Sequence, residues 1–364
     1  MIALTFVNHE KYATYLLLQL KICNPLKNRR NSGITIADVA HEADVSAMTV
    51  SRALREPNRV SAKSLERIRS VIDRLGYMPD PAAQALAAGR TNVIGVIVPS
   101  VTNNVFADVM RGIYNAAEAS KWQVQLGNSR YSPLEEERLV RTFISQRPAG
   151  LIISGVDQSD DTRAMLRASS FRIVQVMEIS DLPLDMIVGF SHLEGARAAT
   201  RHLIAMGYKR PGFLAARLDP RTQRRLDGFR EIAGDAGLLD MNRVVTTPQA
   251  STVTLGGKLM ADLLSRAPDT DAILCNNDDL ALGALFECQR RSISVPGNMG
   301  ICGFNDLEMM AAANPTITSV RTHRYEMGEK AMQMLVDSLE GREPDQTFVD
   351  LGFEVVVRQS TMRG

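Results

Sequence analysis

From Asn92 onward, short apolar runs alternate with helical patterns, and this alternation is the tightest constraint on what the chain can form. VIGVIVP (Val93 to Pro99) reads as a buried strand, Asn104 to Ser120 as a helix and Trp122 to Gly127 as the next strand. Pro133 to Ser145 is a helix opened by Ser132-Pro133; GLIIS, RIVQVME and DMIVGF follow as strands. A helix from Gly195 to Met206 is stopped by Gly207, and the rhythm continues through GFLAA, Thr222 to Ala236, AILCN, Asp279 to Arg291 and GICGF. Strands alternating with helices of this length imply an α/β fold of doubly wound parallel sheets. The stretch is longer than one such sheet needs, so two similar subdomains facing a cleft are expected. Ligands in such folds sit at the carboxyl ends of the strands.

The segment before it has a different period. TIADVAHEADVSAMTVSRALREPNR, Thr35 to Arg59, holds two short helical patterns, each with its own cap. Thr35 with Asp38 is a capping-box-like start, and Ile36, Val39, Ala40 and Ala43 recur at helical spacing. Asp44-Val45 makes a tight turn; Ser46 caps the second helix, whose inward face is Val50 and Leu54. This is the helix-turn-helix plan, in which the second helix enters the DNA major groove. Its leading residues are Ala47, Met48 and Ser51, with Arg52 beside them. A plain helical hairpin is the competing reading of these residues alone. Ser61 caps a third helix ending at Leu75 and Gly76; its stripe of Leu65, Ile68, Val71, Ile72 and Leu75 closes a three-helix headpiece. Lys63, Arg67, Arg69 and Arg74 lie on or near its outer face, where phosphate is a possible partner for some. Asp80 then caps a short helix with Pro81 at its first position and Gly89 at its end. So short a helix is marginal alone. It orders only when something else holds it, which suits a linker that senses DNA.

The totals exclude several classes. At 364 residues the chain holds two or three domains, and a net charge of +1 means any nucleic-acid binding rests on a local patch. The cysteines, Cys23, Cys275, Cys288 and Cys302, stand far apart with no metal-ligand spacing, so reduced thiols in the cytoplasm are expected and no metal or cofactor. No apolar run is long enough to span a membrane. Enzyme signatures are absent: GFSHL (Gly189 to Leu193) lacks the second glycine of a nucleophile elbow, and GGK at Gly256 to Lys258 has no upstream phosphate-loop pattern. Asp278 and Asp279 resemble a carboxylate pair, but helix neighbours point apart, and capping is the expected role.

Taken together, the ITIADVA…VSAMTVSRAL headpiece, VSAKSLERIRSVIDRLGYMPD and the NNDDLALGAL segment resemble the LacI/GalR family of bacterial repressors from Ile34 to the C-terminus. VPSVTNNVFADVMRGI, ARLDPRTQRRLDGF and the closing VDLGF look like its gluconate and idonate branch. The resemblance implies a core similar to periplasmic sugar-binding proteins, with two subdomains, three chain crossings and an effector between them. It places Thr35, Ser46, Ala47, Met48, Thr49, Ser51, Arg52, Arg59, Ala83 and Leu86 against DNA. Ala47 and Met48 stand where the base-reading pair stands, and such a pair offers only apolar contact, for instance to thymine methyls. Leu86 matches the leucine that wedges into the minor groove, while Asp80-Pro81 departs from the usual Asn-Arg. The effector site maps onto Asn103, Asn104, Phe106, Glu178, Arg225, Asn277 and Asn305. Asn305 replaces a family aspartate, which removes a negative charge. Arg225 is suited to bind a carboxylate through paired N–H bonds, with Arg217 and Arg224 nearby in sequence. Glu178 argues mildly against an acid.

The reading is a homodimeric repressor, released from a near-palindromic operator by a gluconate-like sugar acid. Residues 33–78 are the headpiece, 79–91 the hinge and 92–362 the effector and dimerisation core. Within the core, 92–189 with 320–344 and 190–319 with 345–362 are the expected subdomains. Residues 1–32 read either as an extension with a basic arm at Lys27 to Arg30, disordered or helical, or as the product of a misassigned start codon. The alternatives are a neutral-sugar or nucleoside effector, a corepressor in place of an inducer, or a sugar-binding protein without a DNA role.

Overall fold

The computed structural model describes residues 34–78, 89–118 and 120–363. The expected hinge helix, with Ala83 and Leu86, and the N-terminal extension lie outside them. The chain divides into two compact units between residues 84 and 85.

The first unit holds α1 (Ile36–Glu42), α2 (Ala47–Arg55) and α3 (Ala62–Leu75), with a single 3-10 turn at Pro57–Arg59. Each start is set by a hydroxyl. The Thr35 and Asp38 side chains cap reciprocally, Ser46 accepts from the Thr49 N–H, and Ser61 accepts from the Ser64 N–H. Asp44 turns the chain with φ 47°, and Gly76 stops α3 at φ 64°. Val39, Ala40, Ala43, Val50, Ala53, Ile68 and Val71 bury a small common core, with Leu54 half-buried against it. Two of the expected phosphate-facing arginines are otherwise engaged. Arg67 donates to the Asp44 carbonyl at 3.1 Å, and Arg74 pairs with Glu42 at 2.7 Å, so both tie α3 to α1 and its turn.

The second unit is two six-stranded sheets. The first has the order β11-β5-β4-β3-β1-β2 and the second β12-β10-β9-β8-β6-β7. The first is built from β1 (Val93–Val98), β2 (Gln123–Asn128), β3 (Gly150–Ser154), β4 (Arg172–Val176), β5 (Met186–Gly189) and β11 (Phe348–Asp350). The second comprises β6 (Pro211–Ala216), β7 (Val244–Thr247), β8 (Ala272–Cys275), β9 (Gly300–Asn305), β10 (Thr318–Thr322) and β12 (Phe353–Val356). All pairings are parallel except β10 with β12. The covering helices are α4 (Asn104–Ala117), α5 (Pro133–Ser145), α6 (Asp160–Arg167), α7 (His192–Ala205), α8 (Pro220–Asp235), α9 (Val253–Arg266), α10 (Asp278–Arg290), α11 (Glu308–Ala312) and α12 (Arg324–Leu339). The central strands are apolar and buried from end to end, as a parallel sheet covered on both faces requires.

The chain passes between the sheets three times, after β5, after β10 and between β11 and β12. Two of these passages differ from expectation. β10 stays in the second sheet to Thr322, and Phe348–Asp350, expected in the second subdomain, pairs with β5 of the first. The reason is local: β11 is a three-residue edge strand with Phe348 and Asp350 exposed, too short to show a period. Two helices also start earlier than read. Ser191 caps α7, which starts at His192, three residues before Gly195, and Asp219 caps α8 ahead of Pro220.

Helix pairs on the flanks are packed through glycine. A Cβ on Gly112 of α4 would lie 2.1 Å from the Tyr325 carbonyl oxygen, and one on Gly328 of α12 2.0 Å from that of Val109. The α9/α10 pair repeats the device: a Cβ on Gly256 would fall 2.5 Å from the Leu280 oxygen, and one on Gly283 2.0 Å from that of Val253. These backbones approach too closely for any side chain, and neither can move without displacing a sheet. Gly328→Ala should therefore cost about 1–3 kcal/mol by overpacking. Urea unfolding of the full-length protein measures it; a loss under about 0.5 kcal/mol, the range of ordinary surface substitutions, refutes this packing.

Candidate functional site

In the headpiece, the N-terminus of α2 presents an apolar tip. Ala47 is exposed, and Met48 is 69% exposed, unusual for a thioether with no partner to cover it. Arg52 is exposed and makes no ion pair among the described residues. The hydroxyls expected beside them are partly occupied. Ser46 and Thr49 lie 2.9 Å apart within the cap, Ser51 accepts from Arg55 at 2.9 Å, and Thr35 is held in its capping box. Arg59 is exposed and pairs only with Glu56, a surface contact of little strength. The helix thus offers a methyl and a thioether for a groove, backed by one unpaired guanidinium.

In the second unit, a cavity of about 380 Å³ opens where the carboxyl ends of both sheets face each other. Its lining takes Ser100 after β1, Tyr131 after β2 and Met177 after β4; from the other sheet come Arg217 after β6, Ala250 after β7, Asn276 after β8 and Asn305 ending β9. The caps of four helices, Asn103, Asp219, Thr252 and Asn277, border it as well. Helix N-termini carry partial positive charge and free N–H groups, so this rim favours an anion or a dense set of hydroxyls. Tyr131, Met177, Arg217 and Asn305 all have positive φ, from 58° to 108°. Side chains are held there only where the surroundings over-determine the backbone, a pattern that concentrates at binding sites.

Arg225 forms the floor. It is 7% exposed, and its guanidinium lies 3.8 Å from the centroid of the Phe304 ring. Its Nε and Nη2 donate to His192 Nδ1 at 3.2 and 3.0 Å, and Nη1 donates to the Asn276 carbonyl. Those contacts take three of the five guanidinium N–H groups. Among the described residues no carboxylate lies within ion-pair distance of it, and burial lowers its pKa to about 10, still cationic near neutrality. His192 is fully buried. Its Nε2 lies 2.8 Å from the Met177 carbonyl, an acceptor, so Nε2 carries the proton and Nδ1 is the lone pair that receives Arg225. Burial and the neighbouring Arg225, Arg221 and Arg224 hold the imidazole well below its ordinary pKa. One ring therefore links a backbone carbonyl of the first sheet to the arginine of the second.

The expected effector residues fall into two groups. Phe106, Asn103, Asn104, Arg225, Asn277 and Asn305 all line the cavity. Asn305 leaves its Oδ1 buried without a hydrogen bond, an unsatisfied acceptor in a residue of the lining. Asn103 and Asn277 spend their oxygens on the caps of α4 and α10, and Asn277 also bonds Ser251 at 2.7 Å. Glu178 is not part of the lining. Met177 turns the chain at φ 77°, and Glu178 is buried behind, with Oε1 accepting from the Ile179 N–H and Oε2 3.5 Å from Arg224. Burial raises its pKa. Arg224 points the same way, into a bidentate pair with Asp157. Asp278 is not a cap; that role belongs to Asn277. Its carboxylate accepts from the Leu307 N–H and Ser319 hydroxyl, and burial raises its pKa to about 7. The residues missed from sequence are Tyr131, Arg221, His192 and Ser251.

His192 gives a pH signature. A base whose pKa is lower folded than unfolded binds fewer protons when folded, so its stabilising contribution is whole above the ordinary value near 6.5 and is lost as pH falls below it. Asp278, Glu178 and Asp279, with raised values, slope the other way, so the test is a difference. His192→Gln should be less stable than wild type at about pH 7.5, and the gap should narrow toward about pH 5. Parallel urea-stability curves contradict the neutral, Arg225-bound ring.

Residues 35–80 match the lacI family of bacterial regulatory proteins, and residues 200–361 match the periplasmic binding protein-like domain. Over 336 residues the chain is 37% identical to the HTH-type transcriptional regulator GntR of Pseudomonas aeruginosa, covering 92% of this chain and 98% of that protein. It is 32% identical to the HTH-type transcriptional regulator IdnR of Escherichia coli, covering 90% and 98%. A LacI-family transcriptional regulator from Silicibacter pomeroyi superposes with a TM-score of 0.84 at 32% identity, over 91% of this chain and all of that one. With a helix-turn-helix headpiece and a two-sheet binding core, the chain belongs to the LacI family and is a DNA-binding transcriptional repressor, not an enzyme.

Proposed function

We propose that the protein is a homodimeric repressor whose hold on its operator is controlled by a small sugar acid of the gluconate or idonate kind, bound in the cleft between the sheets. The observation that carries this is Arg225: a buried cation with no carboxylate partner, on the floor of a cavity rimmed by four helix N-termini. An anion anywhere in this cleft offsets that positive potential, and its hydroxyls meet Asn305 and the other asparagines. The resemblance of the cleft segments to the gluconate and idonate branch points the same way. Effector binding acts by favouring one of two arrangements of the sheets, and only a difference in affinity between them drives release.

A neutral sugar or nucleoside is the second reading, favoured by Asp219, Asp278 and Asp279 in the same lining. Thermal unfolding against a panel of sugars, nucleosides and sugar acids separates the two. A ligand that binds only the native state stabilises it by about 2.7 kcal/mol at a hundredfold excess over its Kd. Gluconate or a near relative should shift the transition and neutral sugars should not; the reverse pattern overturns the acid. Arg225→Ala should abolish that shift while leaving operator affinity nearly unchanged, and a surviving response removes Arg225 from the site. Operator titration with and without ligand gives the sign: tighter binding with ligand makes it a corepressor.

At the DNA, Ala47 and Met48 have only apolar contacts to offer. Replacing contacted thymines by uracil should weaken binding by about 0.8 kcal/mol per buried methyl. Full affinity on uracil-substituted operator excludes methyl reading by this pair.

A further inference from the structure

The sugar-acid reading leaves open which residue recognises the acid, and Arg225 is poorly placed to do so alone. Its Nε–Nη2 edge is occupied by His192 Nδ1, and Asn276 takes Nη1. Paired recognition of a carboxylate needs a clear edge with two parallel N–H groups.

One helical turn earlier on α8 stands Arg221. Residues four apart share a helix face, so Arg221 and Arg225 address the same cavity. Both line it. The surroundings of Arg221 are different in kind. Its Nη1 donates to the Ser154 hydroxyl at 3.3 Å, at the end of β3 in the opposite sheet. Asp219 forms only a loose ion pair with it, Oδ2 3.9 Å from Nη2 and outside hydrogen-bond range. Asp219 Oδ1 is meanwhile committed to capping α8 at the Thr222 N–H, 2.8 Å away. Phe106 and Tyr131 flank the guanidinium at 5.5 and 6.0 Å, giving it apolar walls without taking its donors. The side chain is 14% exposed, dry enough for an ion pair to count.

The two arginines of this one lining thus differ in what their donors already hold. Arg225 is engaged by His192, Asn276 and the Phe304 face, and Asn277, Asp279 and Asn305 add groups to the lining that are matched to hydroxyls. Around Arg221 stand aromatic rings and open N–H groups, a set matched to a planar anion. We propose that Arg221 is the specificity-determining residue of the cleft: it takes the effector's carboxylate in paired N–H bonds, while Arg225 and the asparagines hold the polyol chain. This rests on the sugar-acid reading above. Because Arg221 also touches Ser154, a carboxylate held there lies between the two sheets.

The test is titration calorimetry of the full-length protein with D-gluconate and D-glucitol, which share a carbon skeleton and differ in the acid. Arg221→Gln should lose at least about tenfold in gluconate affinity, as expected for a charge-assisted pair, with glucitol affinity within about twofold of wild type. Loss of the cross-sheet bond to Ser154 acts on both ligands alike, so the gluconate-to-glucitol ratio is the readout. An unchanged gluconate-to-glucitol ratio overturns the assignment, as does equal loss of both ligands. So does the same collapse of the ratio in Arg217→Gln rather than in Arg221→Gln. A wild-type protein that prefers glucitol, or binds neither, overturns the sugar-acid reading itself and this assignment with it.

Discussion

A guanidinium buried without a counter-ion is costly, and the cleft is arranged around making Arg225 tolerable. Taking a charge out of water costs several kcal/mol even after a protein relaxes. Here the direct contacts are neutral groups, the Phe304 face, the His192 lone pair and the Asn276 carbonyl, while Asp219, Asp278 and Glu178 act only from beyond ion-pair distance. None of them cancels the charge. A group in that condition is stabilised further by any anion that reaches it. Burial, with Arg221 nearby, pushes its pKa down to about 10, in keeping with that cost.

Holding that arrangement requires a frame that does not yield. The parallel strands place one lining residue after another at their carboxyl ends, and the caps of four helices aim N–H groups at the same space. Glycine contacts between α4 and α12 and between α9 and α10 lock the flanking helices backbone to backbone. Around the rim, non-glycine residues at positive φ aim side chains where an ordinary strand exit could not. Rigidity in the layers and strain at their edges are two sides of one design, since a strained loop persists only on a firm base.

The sequence was legible where local chemistry decides the outcome. Caps at Thr35, Ser46 and Ser61, the stop at Gly76 and the apolar strands all follow from side chains a few residues apart. It was less legible where side chains must be aimed. Arg224 was read with Arg225 because they are adjacent, yet adjacency on a helix separates directions, and Arg224 turns to Asp157. The spacing of four between Arg221 and Arg225 was the usable signal. His192 was weighed only as part of a failed nucleophile motif, and its link to Met177 spans a crossing that no local pattern reveals. Glu178 follows β4 in the sequence, but its side chain lies behind the lining, because a positive φ at Met177 breaks the strand's alternation.

The three passages of the chain between the sheets leave from one side. β5 and β11 are neighbours at one edge of the first sheet, and β10 and β12 at the matching edge of the second. Two plates whose chain connections all run along a common border behave as a book does about its spine. Sliding and twisting strain three connections at once, whereas swinging bends each of them a little. Whatever occupies the cleft therefore applies a torque, and the motion it transmits has nearly a single degree of freedom. Displacement is smallest beside the spine and grows toward the far border, where β2 and β7 lie. Tyr131 and Ala250, at the ends of those strands, sit where the lever is longest.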